Sequence, residues 1–153
     1  MLIDALINPK SVLSRALDAL QPAFALGSRI YVSWVFLKSG YLKLSDWEST
    51  VALFEYEYHV PLLPPTLAAI LGTAGELVFP VLLILGLFGR MSALGLQAVN
   101  VLAVISYSHV LFQEGFAAAI GQHYLWGYIL AVLALYGPGA WSLDNWLLAR
   151  RVR

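Results

Sequence analysis

Arg29 and Glu76 stand deep inside largely apolar stretches of this sequence, Arg29 with Lys38 between Ala23 and Leu44 and Glu76 between Leu62 and Phe88. Placing such a group deep in hydrocarbon costs about 2.5 to 3.5 kcal/mol on insertion scales, so each must face a protein interior, a partner or water. Arg29 lies about 10 Å from the start of its stretch at 1.5 Å per residue, and Glu76 lies near the middle of the next, which runs the opposite way. The reach of a guanidinium bridges that difference in depth, and the two are expected to meet directly or through one water. Gln97 and Asn100 are three apart in the third stretch and share a helix face, with Val104 and Tyr107 above them. Arg29, Glu76, Gln97 and Asn100 are therefore expected to border one polar intramembrane pocket. Arg29 would hold an anionic or carbonyl oxygen there through its planar fork, while Glu76 orients Arg29 or exchanges a proton. The alternative is that the four only pair and bond helices together.

Imidazole is the usual nitrogen ligand of copper and zinc, and the three histidines, His59, His109 and His123, all fall near span ends on one side. They form a candidate metal site that Glu55 or Glu57 would complete, although their spacing is no motif and a lone interfacial histidine is ordinarily solvated. Two-histidine ligation of a b-type haem draws on the same residues. A quinone site needs an apolar groove with aromatic walls and one or two donors for the ring oxygens. Trp34, Tyr107, Trp126 and Tyr128 are the candidate walls, with Arg29, Asn100 or His123 as donors.

The elements that must position these residues are helices. Ala23 to Leu44 is about 22 residues, or about 33 Å, enough to cross a hydrocarbon core of about 30 Å. Further spans are expected at about 62–88, 91–112 and 123–137, the last stopped by Gly137-Pro138-Gly139. Before the first span, Asn8 to Leu20 places Val12, Leu13, Ala16, Leu17 and Leu20 at helical spacing, as in a helix lying in the interface, and Pro22 is expected to end it. Ser142 is positioned to cap a terminal amphipathic helix, Leu143 to Leu148. Between the first two spans LKLSDWESTVALFEYEYHVPLLPP reads as an acidic, aromatic loop with some helix. The expected fold is all-α: one domain, residues 1–153, forming a four-helix transmembrane bundle with short interfacial amphipathic helices at both termini.

On the first span Arg29, Ser33, Phe36, Gly40 and Lys43 share one face, and Lys38 points nearly opposite, so it should snorkel outward. With four spans, Lys10, Arg15, Arg90, Arg150, Arg151 and Arg153 fall on one side, which the positive-inside bias makes cytoplasmic with both termini. Trp47, Tyr56, Tyr58, Tyr124, Trp126, Trp141 and Trp146 cluster near span ends, as interface anchors do.

Composition agrees with this reading. The chain is 60% hydrophobic and 12% charged, with a mean hydropathy of +0.76, where a soluble domain is about half apolar and a quarter charged. Nine Lys and Arg balance nine Asp and Glu without a basic stripe, so nucleic acid is not an expected partner. The absence of cysteine removes disulfides, thiolate nucleophiles, iron–sulfur clusters and covalent haem. The first residues carry acids and lack a compact apolar run, so they do not read as a signal peptide, and the N-terminus is expected to stay on.

Arg29, Gly40 and Lys43 in SGYLKL, Glu76 with LILGLFGR, and YGPGAWSLD after the fourth span resemble the DoxX family of small bacterial membrane proteins. The resemblance implies a four-helix bundle in the bacterial inner membrane. It also implies a membrane subunit of a quinone-linked oxidoreductase that passes electrons or substrate between a partner protein and the quinone pool. LFEYEYHVPLLPP further resembles a branch encoded near genes for small copper-binding peptides, which brings in copper as a second cofactor and a link to peptide maturation or metal stress. No agreed catalytic residue set comes with the resemblance. The alternatives are a small-molecule or metal-ion permease or sequestration protein, which with four spans implies a homo-oligomer, and a non-catalytic membrane anchor that assembles partners.

Overall fold

A computed structural model describes residues 11–151, and every regular element among them is a helix. The first, α1, runs from Val12 to Ser45, with the Ser11 hydroxyl accepting a hydrogen bond from the Ser14 N–H at 3.1 Å. Pro22 lies inside α1 and does not end it. The expected separate interfacial helix is thus continuous with the first span from Val12 onward; its Asn8 to Lys10 portion lies outside the described residues. A proline removes one backbone donor and leaves one carbonyl, that of Asp18, without its partner, and good helix formers on both sides carry the ladder across. The resulting rod of 34 residues is about 51 Å long, longer than a bilayer core.

Helix α2, Trp47–Tyr56, starts where the Asp46 carboxylate accepts bonds from the Ser49 N–H at 3.1 Å and hydroxyl at 2.7 Å. Those bonds favour the ionised form and hold Asp46 below the usual carboxylate range. Helix α3, Pro65–Leu85, has proline in its first turn, where no N–H is needed, and closes on Gly86 in the left-handed region. Helix α4, Gly89–Ser106, breaks at Tyr107, and a single turn, α5, Ser108–Leu111, follows, so the third stretch is not one helix to Phe112. Helix α6 occupies Ala117–Tyr136, beginning ahead of the expected start at His123 because the alanine-rich run after Gly115 continues the helix. Helix α7, Leu143–Arg151, closes the described chain, its first turn capped by the Ser142 hydroxyl on the Asn145 N–H at 3.3 Å.

Among the described residues three helices, α3, α4 and α6, are long and apolar enough to cross a membrane. Helix α1, which carries Arg29, Lys38 and Lys43, is not among them by that measure, though it packs along α3 more extensively than any other pair of elements. Its buried face is Arg29, Val32, Ser33, Phe36 and Gly40, the face expected from helical spacing, and Lys38 is exposed. Gly40 permits the close approach, since a Cβ there would lie 2.9 Å from Leu77 Cγ and 3.1 Å from Glu76 Cβ. Val32, Phe36, Leu83, Ala93, Leu96, Leu130 and Leu133 form the core between α1, α3, α4 and α6.

One end of the assembly is closed by side chains bonded to helix termini. Arg29, fully buried, donates through Nη1 to the Leu83 carbonyl at 3.5 Å and through Nη2 to the Trp141 carbonyl. Asp144 accepts from the N–H groups of Phe88 and Gly89 at 2.8 and 2.7 Å, at the start of α4. Arg90 donates to the Ala134 and Leu135 carbonyls at 3.0 and 2.5 Å, near the end of α6. Cations at helix C-termini and a carboxylate at an N-terminus each complement the local dipole and satisfy backbone groups that hydrocarbon could not. Gly86, at φ +66°, leaves no room beside Arg29 and Ser142. Gly86→Ala should therefore destabilise the detergent-solubilised protein by about 2 kcal/mol or more. Gly27→Ala, where a Cβ meets nothing within 4 Å, should not; thermal unfolding of the two variants checks the contrast.

Candidate functional site

At the other end, α1, α2, the segment from Glu57 to Pro64, α3, α4 and α6 surround a cavity of about 390 Å³. Its polar floor is an ion pair. Lys43 Nζ lies 2.8 and 2.7 Å from the two Glu76 carboxylate oxygens and 2.9 Å from the Ser39 hydroxyl, so all three ammonium hydrogens have acceptors. The two side chains are 15% and 10% exposed. Lys43 comes from the last turns of α1 and Glu76 from the middle of α3, and the contact of α3 with Gly40 brings them level.

Aromatic rings form two walls. Phe54, Tyr58 and Tyr107 stand edge to face in series, with centroids 4.9 and 5.1 Å apart. Across from them Trp126 packs edge-on against Phe36 at 5.7 Å and His123 at 4.9 Å. Burial, with lesser contributions from Tyr107, Glu76 and Glu57, pushes the Tyr58 phenol above its usual range, so it remains an O–H group at neutral pH. Behind His123, Asn100 Nδ2 donates to the His123 carbonyl at 3.0 Å and Asn100 Oδ1 meets His123 Nδ1 at 2.8 Å. The Trp126 indole N–H is buried without a hydrogen-bond partner. Its nitrogen has no accessible surface, as is also true of Arg29 Nε, Ser33 Oγ and Thr73 Oγ1, so it is an unmade hydrogen bond within the packing and not a donor open to the cavity.

The residues singled out by spacing are distributed differently from expectation. Glu76 meets Lys43, not Arg29, which is committed two turns farther along α3 to the Leu83 carbonyl and to the C-terminal segment. Antiparallel helices pair by register rather than by nominal depth, and Lys43 is the cation that the α1–α3 register sets beside Glu76. Arg29, Glu76, Gln97 and Asn100 thus do not border one pocket. Glu76 lines the cavity, Asn100 supports His123 from behind, and Gln97 lies with Asn100 against Gly127 of α6, its Oε1 buried without a partner. Of the expected quinone walls, Tyr107 and Trp126 line the cavity. Trp34 and Tyr128 do not: they are 67% and 71% exposed, and Tyr128 borders a separate groove between α1 and α6.

The three histidines do not gather either. His59 and His109 have ring centroids 4.6 Å apart, while His123 belongs to the Asn100 and Trp126 cluster. Among the described residues no three His, Cys, Asp or Glu side chains come close enough to hold one metal ion. Sequence reasoning missed Ser39, Lys43, Phe54 and Tyr58 as site residues; it took Tyr58 for an interface anchor and read Trp126 both as an anchor and as a quinone wall. The available signal was the helix face shared by Gly40 and Lys43, together with a lysine stem long enough to turn inward.

The Lys43–Glu76 pair predicts a distinctive stability pattern. Lys43→Met and Glu76→Gln should each cost about 3 kcal/mol by leaving one charge or polar group unpaired, whereas the double replacement should regain most of that loss. Unfolding of the four proteins in one detergent checks this; additive losses would contradict a direct pair.

The DoxX family model matches residues 24–109, a span that includes Arg29, Lys43, Glu76 and both exposed histidines, with His123, Trp126 and Asp144 beyond it. No match is found among curated proteins or among solved structures. With more than half of its 153 residues matched and its apolar helices of spanning length, this chain is a membrane protein that belongs to the DoxX family.

Proposed function

We propose that this protein is a quinone-binding subunit of a membrane redox system, passing electrons or substrate between a partner protein and the quinone pool. The observation that carries the reading is the cavity itself. It is largely apolar, has aromatic walls on two sides, and is bordered by an imidazole and an ion pair. Its volume lies in the range of small-molecule sites, about 300 to 1,000 Å³. A planar ring would lie between Tyr58 and Tyr107 on one side and Phe36 and Trp126 on the other, with the His123 imidazole at its edge. A quinone there would supply two-electron, two-proton chemistry, and the electrons would come from or go to the partner protein. Glu76 would exchange a proton at its carboxylate, which Lys43 holds in place. In this reading α1 is the fourth crossing of an inner-membrane bundle, α7 lies on the membrane surface, and both termini are cytoplasmic, so the cavity faces the outer half of the bilayer.

Gly72 supplies a test that leaves the polar groups alone. It borders the cavity, and a Cβ there makes only ordinary contact, 3.4 Å, with Phe54. Gly72→Leu should therefore fold but fill the space. Titration of the purified protein with a short-chain quinone, followed by tryptophan fluorescence, should show saturable binding that Gly72→Leu weakens at least about tenfold, the equivalent of some 1.4 kcal/mol. Gly27→Leu, outside the cavity, should bind as the unmodified protein does. Absence of saturable binding, or equal binding by Gly72→Leu, would overturn the proposal. Solute flux through liposomes containing this protein alone would favour a permease instead.

A further inference from the structure

The Asn100–His123 pair does more than fill space, because its geometry dictates which imidazole nitrogen carries hydrogen. The Asn100 amide is oriented by its own donor bond, Nδ2 to the His123 carbonyl at 3.0 Å. Its oxygen must then be the atom at 2.8 Å from His123 Nδ1. An amide oxygen accepts and cannot donate, so Nδ1 bears the hydrogen. In the neutral ring the other nitrogen, Nε2, is left as a lone-pair acceptor. Asn100 is buried behind the ring and His123 lines the cavity, so the side of the imidazole turned away from Asn100 is the one a ligand meets. Trp126 packs edge-on against the imidazole, its ring centroid 4.9 Å away, and lines the same wall.

A lone-pair acceptor on the cavity wall suits a hydroxyl, which gives it a hydrogen. A carbonyl oxygen has no hydrogen to give and sets its lone pairs against those of Nε2. We infer that the cavity selects the reduced, hydroxyl-bearing form of its ring ligand, a quinol over the corresponding quinone, and that Asn100 is the positioning residue that enforces this choice by fixing the His123 tautomer. The inference rests on the quinone-site reading above and adds to it the redox form that is recognised and the residue that sets it. Lys43 has no hydrogen left to donate, and Glu76 is an acceptor whatever the tautomer of His123, so the part of the preference set by Asn100 is the part that changes when the tautomer is freed.

The test is equilibrium binding of the reduced and oxidised forms of one short-chain benzoquinone to the full-length protein in detergent, without oxygen, at neutral pH. The unmodified protein should bind the quinol at least about tenfold more tightly, the worth of one well-made hydrogen bond against an unmade one. His123→Phe removes the acceptor and should weaken quinol binding by about the same factor while leaving quinone binding nearly unchanged. Asn100→Leu keeps the imidazole but frees its tautomer. The ring can then offer Nε2–H to a carbonyl, quinone binding should improve, and the ratio of the two affinities should fall toward one. A merely structural Asn100 would change both affinities together. Equal affinity for the two forms in the unmodified protein overturns the inference even if both substituted proteins fail to fold. So does a quinol preference that survives both substitutions. Saturable binding of both forms without preference leaves the quinone site standing and removes only the selectivity, whereas binding of neither form overturns the site as well.

Discussion

Hydrocarbon offers no partner to a charge, and the contact between Lys43 and Glu76 is how this chain meets that constraint where α1 and α3 run side by side. Each group alone would carry the desolvation cost of an ion; together, with Ser39 taking the remaining ammonium hydrogen, they make a closed polar unit. Gly40 lets the helices approach until the Leu77 side chain and Glu76 Cβ fill the space a Cβ at position 40 would take, and that approach brings the pair together. That same approach fixes the register of the two helices and gives the cavity a charged but neutralised floor beneath apolar walls.

The two ends of the molecule use polar groups in opposite ways. At the Arg29 end, donors and acceptors are spent on helix termini: the Leu83 and Trp141 carbonyls, the first N–H groups of α4, and the last carbonyls of α6. These bonds join the segment after Gly137 to the turn between α3 and α4, so the glycine-rich stretch and Asp144 have a structural task. At the cavity end, His123 is oriented by a residue that does not itself line the cavity. A cavity-lining group held from behind by another is the arrangement a small-molecule site requires, since positioning groups must be held by others.

Much of the helical layout was legible from hydropathy, and less of the site. Apolar runs placed α3, α4 and α6 within a few residues, and 3.6-residue spacing identified the buried face of α1 from Arg29 to Gly40. Pro22 misled because a proline breaks one hydrogen bond, not a helix, when its neighbours favour helix on both sides. The start of α6 was hidden in Phe116 to Gln122, which reads as a polar connection only until the propensity of three alanines is counted. Arg29 and Glu76 were matched by depth, whereas true partners follow from helix register and close approach, which are tertiary facts. Asn100 was correctly placed on an inward face, but its role as a clamp on His123 depends on how α4 and α6 align, and no spacing within either helix encodes that.

The central claim is that the cavity between the Tyr58–Tyr107 and Phe36–Trp126 walls is where a quinone ring binds. Photoaffinity labelling of the protein in its native membrane with an azido-quinone, followed by mass spectrometric mapping, tests this most directly. Adducts should concentrate on the α4 segment from Val99 to Tyr107 and on α6 near His123 and Trp126, and excess unlabelled quinone should suppress them. Labelling spread over the exposed faces around Trp34 and Tyr128, unaffected by competitor, would contradict the claim.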